Sequence, residues 1–208
     1  MGHALHQTPD GNNTNPSQEP TLKMTQPKTL DVIEPSSVGT LSGLFRERVK
    51  RSANEVAYRY FDSKQKQWKN ISWSQSALQV AKYQAAFKRD GLEAGDRVAI
   101  MLRNSPQWVQ FEQAALGLSL VVVPLYTNDR IDNVAYVLQD AGVKVLLLEG
   151  QQQLQELQKI DSQSDGLVRI LSVETCKCEN KFDRLQTLDE WTAENDADIS
   201  ADSLVTND

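Results

Sequence analysis

The sequence predicts an α/β protein whose parallel sheet carries helices on both faces. Three apolar segments of strand length lack the alternation of a half-exposed strand: RVAIML (97–102), LSLVVVPL (118–125) and KVLLLE (144–149). Helical patterns and short connections separate these segments. Because strands that alternate with helices pair in parallel, the pattern favours one sheet between two helical layers.

The elements ahead of the sheet begin near Thr40, the expected cap of a first helix. Four apolar residues of that helix have the spacing of one face: Leu41, Leu44, Phe45 and Val49. Two strand-like segments, VAYRYF (56–61) and WKNIS (68–72), flank the polar turn DSKQKQ (62–67). This arrangement predicts a β-hairpin.

The helix after the hairpin has signals at both ends. Ser72 and Gln75, three residues apart, form a capping box, and Gly91 is a natural stop. We therefore expect a helix over about 73–89, with basic residues in its last turn.

Further helices are expected between the strands. Ser105 is the expected cap and Pro106 the first residue of a helix after the first strand. Its apolar face contains Trp108, Phe111 and Ala115. Asn128 or Asp129 is expected to cap the next helix, which Gly142 ends. The apolar face of that helix contains Ile131, Val134, Ala135 and Leu138.

The elements after the third strand are weaker. QQLQELQKI (152–160) has a helical pattern, and LVRILSV (167–173) is the expected fourth strand. Beyond it, three apolar residues are expected to dock on the domain: Leu185, Leu188 and Trp191.

Composition divides the chain into three parts. Residues 1–38 lack aromatic residues and hold five of the seven prolines, which predicts a disordered leader. Residues 39–184 carry the α/β pattern. Residues 185–208 contain seven acidic residues and no Lys or Arg, which predicts an acidic, weakly ordered end.

Charge and hydropathy exclude some classes of function. The net charge is −6, and the sequence lacks the extended basic face that nucleic-acid binding requires. The densest basic cluster is expected to be a solvated helix face: Arg46, Arg48, Lys50 and Arg51. The longest apolar run, residues 114–125, is shorter than the about 20 residues of a membrane span. We expect a soluble, cytoplasmic protein.

Cysteine and histidine do not form a metal site in this sequence. Cys176 and Cys178 are the only cysteines, and His3 and His6 lie far away in the leader. A zinc site usually has four ligands, so we expect two reduced thiols without a metal. The same placement excludes a histidine-based catalytic triad in the folded part.

Two segments are candidate ligand loops. SSVGTLSG (36–43) resembles a phosphate cradle in composition, but no strand precedes it, so we expect a loop that enters the first helix. PLYTND (124–129) follows a parallel strand at the end of the sheet where ligands bind. Tyr126 and Asn128 either line a pocket there or belong only to a strand end and a helix cap.

Four acidic residues are expected at helix ends and turns, in structural roles: Asp90, Glu93, Asp96 and Asp140. The segment RNSPQ after the first strand contains no glycine, so its backbone is poorly suited to approach a pyrophosphate.

Taken together, several segments resemble the amino-terminal part of adenylate-forming (AMP-binding) enzymes, in particular bacterial long-chain fatty-acid–CoA ligases. The resemblance rests on GDRVAIMLRNSPQWVQFEQAALGLSLVVVPLYTND, then NVAYVLQDAGVKVLLL, with ISWSQ and the hairpin upstream. It extends from about Thr40 to Gly150. The stretch GDRVAIMLRNSPQWV is then expected to be scaffold.

The resemblance implies an ATP- and Mg²⁺-dependent formation of an acyl-adenylate, followed by transfer of the acyl group to coenzyme A. The family's Thr-Ser-Gly-Thr-Thr-Gly-type phosphate loop, later acidic motifs and lysine-bearing domain are absent from these 208 residues. We therefore assign no catalytic, cofactor-binding or metal-binding residue. The chain is expected to be an inactive amino-terminal fragment that uses a fatty acid only in full-length form and self-associates through exposed apolar surface.

Two other interpretations remain open at this point. The chain is alternatively a non-catalytic α/β module that docks on a partner protein through its acidic end. A flavodoxin-like or receiver-like domain is the third interpretation, although the sequence lacks a glycine-rich phosphate loop.

Overall fold

The computed structural model of the protein describes residues 30–159, 166–177, 184–193, 200 and 204–206. The chain divides into two compact units, Met1–Val32 and Ile33–Asp208. In the first unit, described residues 30–32 contain no helix or strand. Most of the predicted leader, residues 1–29, lies outside the described residues.

Regular structure in the second unit begins before Thr40. A single 3₁₀ turn spans Pro35–Ser37, and Ile33 ahead of it is buried. Helix α1 (Leu41–Ser52) follows, and the Thr40 hydroxyl accepts the Gly43 N–H at 2.9 Å. The predicted cap is therefore confirmed, and segment 36–43 enters the first helix as expected.

The buried face of α1 differs from the predicted one. Phe45 is buried and Val49 packs against the core, but Leu41 and Leu44 are exposed. The helix turns Ser42, which has the spacing i, i+3, i+7 with Phe45 and Val49, toward the core. The small Ser42 side chain gave no apolar signal in the sequence, so the leucines were assigned to the wrong face.

The predicted hairpin and the helix after it are confirmed. Strands β1 (Val56–Asp62) and β2 (Gln67–Ser72) pair antiparallel as a separate two-stranded sheet. Helix α2 (Trp73–Arg89) follows directly. Ser72 and Gln75 exchange both capping-box hydrogen bonds, at 3.2 and 2.8 Å.

The main sheet has five parallel strands in the order β4-β3-β5-β6-β7. The strands are β3 (Arg97–Met101), β4 (Val121–Pro124), β5 (Val143–Leu148), β6 (Arg169–Ser172) and β7 (Leu185–Thr187). The helices after α2 are α3 (Pro106–Gly117), α4 (Ile131–Asp140), α5 (Gln151–Gln158) and α6 (Leu188–Ala193). The predicted fold class is confirmed.

Each face of the sheet has its own hydrophobic core. Val98 and Ile100 of β3 belong to the core that contains residues of α1, α2, α3 and α6. Ala99 and Met101 belong to the core formed with α4 and α5. Both faces of the central strand are therefore covered, which explains its continuous apolar sequence.

The second predicted strand starts later than expected. Residues 118–125 were predicted as one strand, but β4 begins at Val121. Leu118 caps the end of α3, and Ser119 has a left-handed φ of 57°. Leu118 and Leu120 contribute to the core from this turn, so their apolar character does not indicate a strand.

The predicted cap of α4 is also wrong. Arg130, not Asn128 or Asp129, occupies the cap position, and no side chain caps the helix. The Asp129 carboxylate instead accepts hydrogen bonds from the Arg130 backbone N–H (2.8 Å) and the Asn133 amide (3.0 Å). The predicted helix stop at Gly142 agrees with its left-handed φ of 59°.

The last described elements belong to the domain. Leu185 packs against one core, while Leu188 and Trp191 are buried in the other, as expected. The sheet therefore continues past residue 184. The three-part division of the chain stays a prediction.

Candidate functional site

A cleft of about 810 Å³ lies at the carboxyl end of the sheet. Met101 and Arg103 line it after β3, Glu149 after β5 and Glu174 after β6. Strand β3 leads into α3 on one face of the sheet, whereas β5 leads into α5 on the other. Adjacent strands whose connections leave in opposite directions open a crevice, and ligands of doubly wound sheets bind there.

An ion pair between residues that follow the neighbouring strands β3 and β5 lines the cleft. The Arg103 guanidinium donates to both carboxylate oxygens of Glu149, with Nε at 3.1 and 3.0 Å. Hydrogen bonding to Glu149 raises the pKa of Arg103 above its usual value. The positive charge of Arg103 is therefore paired with Glu149. This pair is not suited to transfer a proton to or from a ligand.

Two glutamines attach the start of α5 to the strands and form the wall of the cleft. Gln153 accepts the Glu149 N–H at 2.6 Å and donates to the Met101 carbonyl at 3.0 Å. Gln151 exchanges two hydrogen bonds with the Lys177 backbone, at 2.6 and 2.9 Å. The wall is thus held by side chain-to-backbone hydrogen bonds.

The residues of PLYTND have different positions. Asn128 lines the cleft, together with Thr127 and Asp129. Tyr126 is 84% exposed and is not among the residues that line it. Of the two residues proposed from the sequence for a pocket, Asn128 alone lines this cleft.

The acidic residues have structural partners. Asp96 accepts the Glu93 N–H at 2.8 Å and the Lys144 ammonium at 2.7 Å. Asp90 accepts from Arg169 and Trp191. Asp140 lies at the end of α4, as expected. The contacts of Asp96 with Lys144 and of Asp90 with Arg169 and Trp191 were not evident from sequence, because these partners are distant in the chain.

The other candidate groups are also accounted for locally. On α1, Arg51 pairs with Glu47 at 2.7 Å and Arg48 donates to Ser52 at 3.3 Å. The Sγ of Cys176 donates to the Glu174 carbonyl at 3.4 Å. Cys178 lies outside the described residues.

The cleft does not fit a nucleoside triphosphate with its Mg²⁺. In the described part of the chain, no three His, Cys, Asp or Glu side chains are grouped as metal ligands. Arg103 is compensated by Glu149, and Glu174 adds a second carboxylate to the same wall. A polyanion would meet these carboxylates without a glycine-rich backbone to receive it.

Sequence reasoning missed the Arg103–Glu149 pair. The sequence contained a signal for this pair, because Glu149 directly follows β5 and Arg103 follows β3 after one intervening residue. What was lacking was the adjacency of β3 and β5, which are not consecutive in the chain.

The strand order and the cleft define a doubly wound α/β domain, with the order typical of flavodoxin-like sheets. The chain belongs to the AMP-binding enzyme family, which matches residues 45–206. The described helices include none that is both long and apolar enough to cross a membrane.

Curated relatives include fatty-acyl-CoA ligases. Fatty acyl-CoA synthetase A of Dictyostelium discoideum is 33% identical over 113 residues, which are 53% of this chain and 17% of that protein. The long-chain-fatty-acid–CoA ligase ACSBG1 of Homo sapiens is 25% identical over 152 residues, 73% of this chain and 21% of that protein. The chain thus spans about a fifth of the length of these relatives.

Solved structures share the fold. A fatty acyl CoA synthetase of Mycobacterium tuberculosis aligns with a TM-score of 0.60 at 21% identity, over 78% of this chain and 29% of that one. Coronafacic acid ligase of Pectobacterium brasiliense aligns with a TM-score of 0.64 at 20% identity, over 76% and 30% of the two chains. At these identities the two structures show a shared fold, and the comparisons give no support to a non-catalytic module.

Proposed function

We propose that this chain supplies the first α/β part of an ATP-dependent long-chain fatty-acyl-CoA ligase. The observation that carries the proposal is the family match over residues 45–206, together with relatives that are long-chain ligases. In such a ligase, ATP and Mg²⁺ activate the fatty acid as an acyl-adenylate, and coenzyme A then takes the acyl group. The compartment we propose is the cytoplasm, which suits a sequence with only two cysteines.

The contribution of these residues is a scaffold. In the stretch GDRVAIMLRNSPQWV, the apolar residues of β3 lie in the two cores, and Ser105 caps α3 by accepting the Trp108 N–H at 3.2 Å. The cleft at the carboxyl end of the sheet suits a triphosphate poorly, so we expect the groups that bind ATP, Mg²⁺ and coenzyme A to come from further polypeptide. By itself the chain is then expected to be inactive.

The proposal is tested by two measurements. The purified chain, incubated with palmitate, ATP and labelled pyrophosphate, should give no exchange above a protein-free blank. Exchange by the chain alone would refute the scaffold role. The native gene is then sequenced beyond codon 208: a Thr-Ser-Gly-Thr-Thr-Gly-like loop in any frame supports the ligase, and its absence contradicts it.

A further inference from the structure

The β1–β2 hairpin presents two aromatic rings to solvent on one face. Phe61 and Trp68 are cross-strand partners and are 50% and 61% exposed. Their ring centroids are 5.6 Å apart in an edge-to-face arrangement. Large apolar side chains that lie side by side on a surface usually mark an interaction site.

Positive charge surrounds these rings. The Arg59 guanidinium lies 5.3 Å from the centroid of the Trp68 ring. Lys64 and Lys66 are exposed on the turn between the strands. The carboxylate of Asp62 is paired with Lys69 at 2.8 Å. The hairpin, residues 56–72, therefore contains four cations and one carboxylate in a chain whose net charge is −6.

The other face of the hairpin is attached to the domain. Tyr58 packs near Trp73 at the start of α2, with ring centroids 5.9 Å apart. Strand β2 continues into α2 without a loop, so the hairpin is anchored at its base. The residues Arg59, Phe61 and Trp68 lie on the opposite side by strand alternation.

We propose that the face formed by Arg59, Phe61, Trp68 and the lysines of the turn docks on an anionic lipid surface. The polar edge of the Trp68 indole favours the headgroup level of a bilayer, Phe61 adds apolar surface beside it, and lysine or arginine is attracted to lipid phosphate. We favour an anionic partner for this face because its positive charge stands out on a chain whose net charge is −6. The proposal rests on the hairpin alone and is independent of the ligase function.

The test uses the full 208-residue chain and vesicles of phosphatidylcholine with and without phosphatidylglycerol. Binding is measured by co-sedimentation and by tryptophan emission. Of the four tryptophans, Trp68 is 61% exposed, Trp73 and Trp108 are partly buried and Trp191 is fully buried. A blue shift and quenching by brominated lipid are therefore assigned to Trp68 by comparison with Trp68→Phe. We expect binding to the anionic vesicles alone, weakened by salt.

Matched variants locate the contact. Phe61→Ser and Trp68→Ser should each weaken binding about tenfold, and Trp68→Phe should retain binding but lose the spectral shift. Lys64→Gln and Lys66→Gln should each weaken it about fivefold. Tyr136→Ser, at an aromatic residue that is 65% exposed on α4, is the control and should bind as the parent does.

Four results would overturn the proposal, given variants with parental circular dichroism. They are no binding to anionic vesicles, equal binding to neutral vesicles, no loss on changing Phe61 or Trp68, and the same loss with Tyr136→Ser. Absence of vesicle binding, with an oligomer that Trp68→Ser dissociates, would instead assign this face to contact between copies of the chain.

Discussion

Asp90 accepts a hydrogen bond from the indole Nε1 of Trp191 at 2.8 Å, although 101 residues separate the two in the sequence. The same carboxylate accepts two hydrogen bonds from Arg169, at 2.9 and 3.0 Å. Its side chain is 4% exposed. The end of α2 is thereby joined to β6 and α6 through one carboxylate.

Replacing Asp90 should destabilise the domain strongly. Asp90→Asn leaves Arg169, whose side chain is 20% exposed, without its counter-charge. Loss of one partner of a largely buried pair costs about 3–5 kcal/mol. Urea unfolding followed by circular dichroism measures the change. The control is Asp132→Asn, because Asp132 forms an exposed ion pair with Arg130 at 3.3 Å. Loss of this exposed pair should lower the free energy of unfolding by less than about 1 kcal/mol. Equal losses would contradict the structural role of Asp90.

The same carboxylate predicts a pH dependence. Burial raises the pKa of Asp90, but the hydrogen bonds from Arg169 and Trp191 lower it by more, so the net shift of the pKa is downward. A carboxyl whose pKa is depressed on folding contributes its full stabilisation above about pH 4, and that contribution declines as the pH falls through the folded value. The difference in unfolding free energy between the parent and Asp90→Asn should therefore be large at neutral pH and narrow in acid. A difference that stays constant over that range would contradict the shift.

Of the two glycines with a left-handed φ that follow α2 and α4, Gly142 should be less replaceable than Gly91. Its φ is +59°, and a Cβ would lie 2.5 Å from Nη2 of Arg97, which donates to the Gly142 carbonyl at 3.0 Å. Gly91 has a φ of +76° with nothing within 4 Å of the added Cβ. Both alanine variants are strained by about 1 kcal/mol, and Gly142→Ala should cost about 1 kcal/mol more. Thermal unfolding of the two variants compares them; equal costs would mean that Arg97 moves away freely.

The outer side of α1 should promote self-association. Leu41 and Leu44 are 65% and 38% exposed one turn apart. Contact between copies would remove this apolar surface from water. The mass from light scattering should rise with concentration for the parent chain and less for Leu41→Lys/Leu44→Lys. Val168→Lys, at a separate residue that is 43% exposed, should leave the rise unchanged. A concentration-independent monomer would refute this expectation.

Local signals predicted the elements best. The bounds of α2 agree with the expected 73–89 because the Ser72–Gln75 capping box and the stop near Gly91 lie within the segment itself. The strand predicted over 118–125 was too long because an apolar turn contributes to the same core as a strand. Hydrophobicity reports burial, not backbone conformation, wherever loops are buried.

The contacts of the cleft depend on strand order, which local patterns do not contain. Arg103 and Glu149 meet because the connection through α4 takes the chain from β4 across β3, so that β5 pairs with the other edge of β3. The expected absence of an adenylation site was derived from missing motifs, and it stays a prediction for the chain as a whole. Asn128 was predictable, since it follows a strand at the end of the sheet where ligands bind.

Trp191 packs against aromatic residues that lie about a hundred positions earlier in the chain. During synthesis these residues are therefore translated well before Trp191. Its ring centroid lies 5.1 Å from that of Phe87 and 5.9 Å from that of Tyr83, both on α2. At about 5–20 residues per second, the ribosome needs about 5–20 s to travel from codon 87 to codon 191. During that interval α2 exposes the aromatic surface that Trp191 later covers. We therefore expect this aromatic surface to be prone to non-specific contacts until α6 emerges from the exit tunnel.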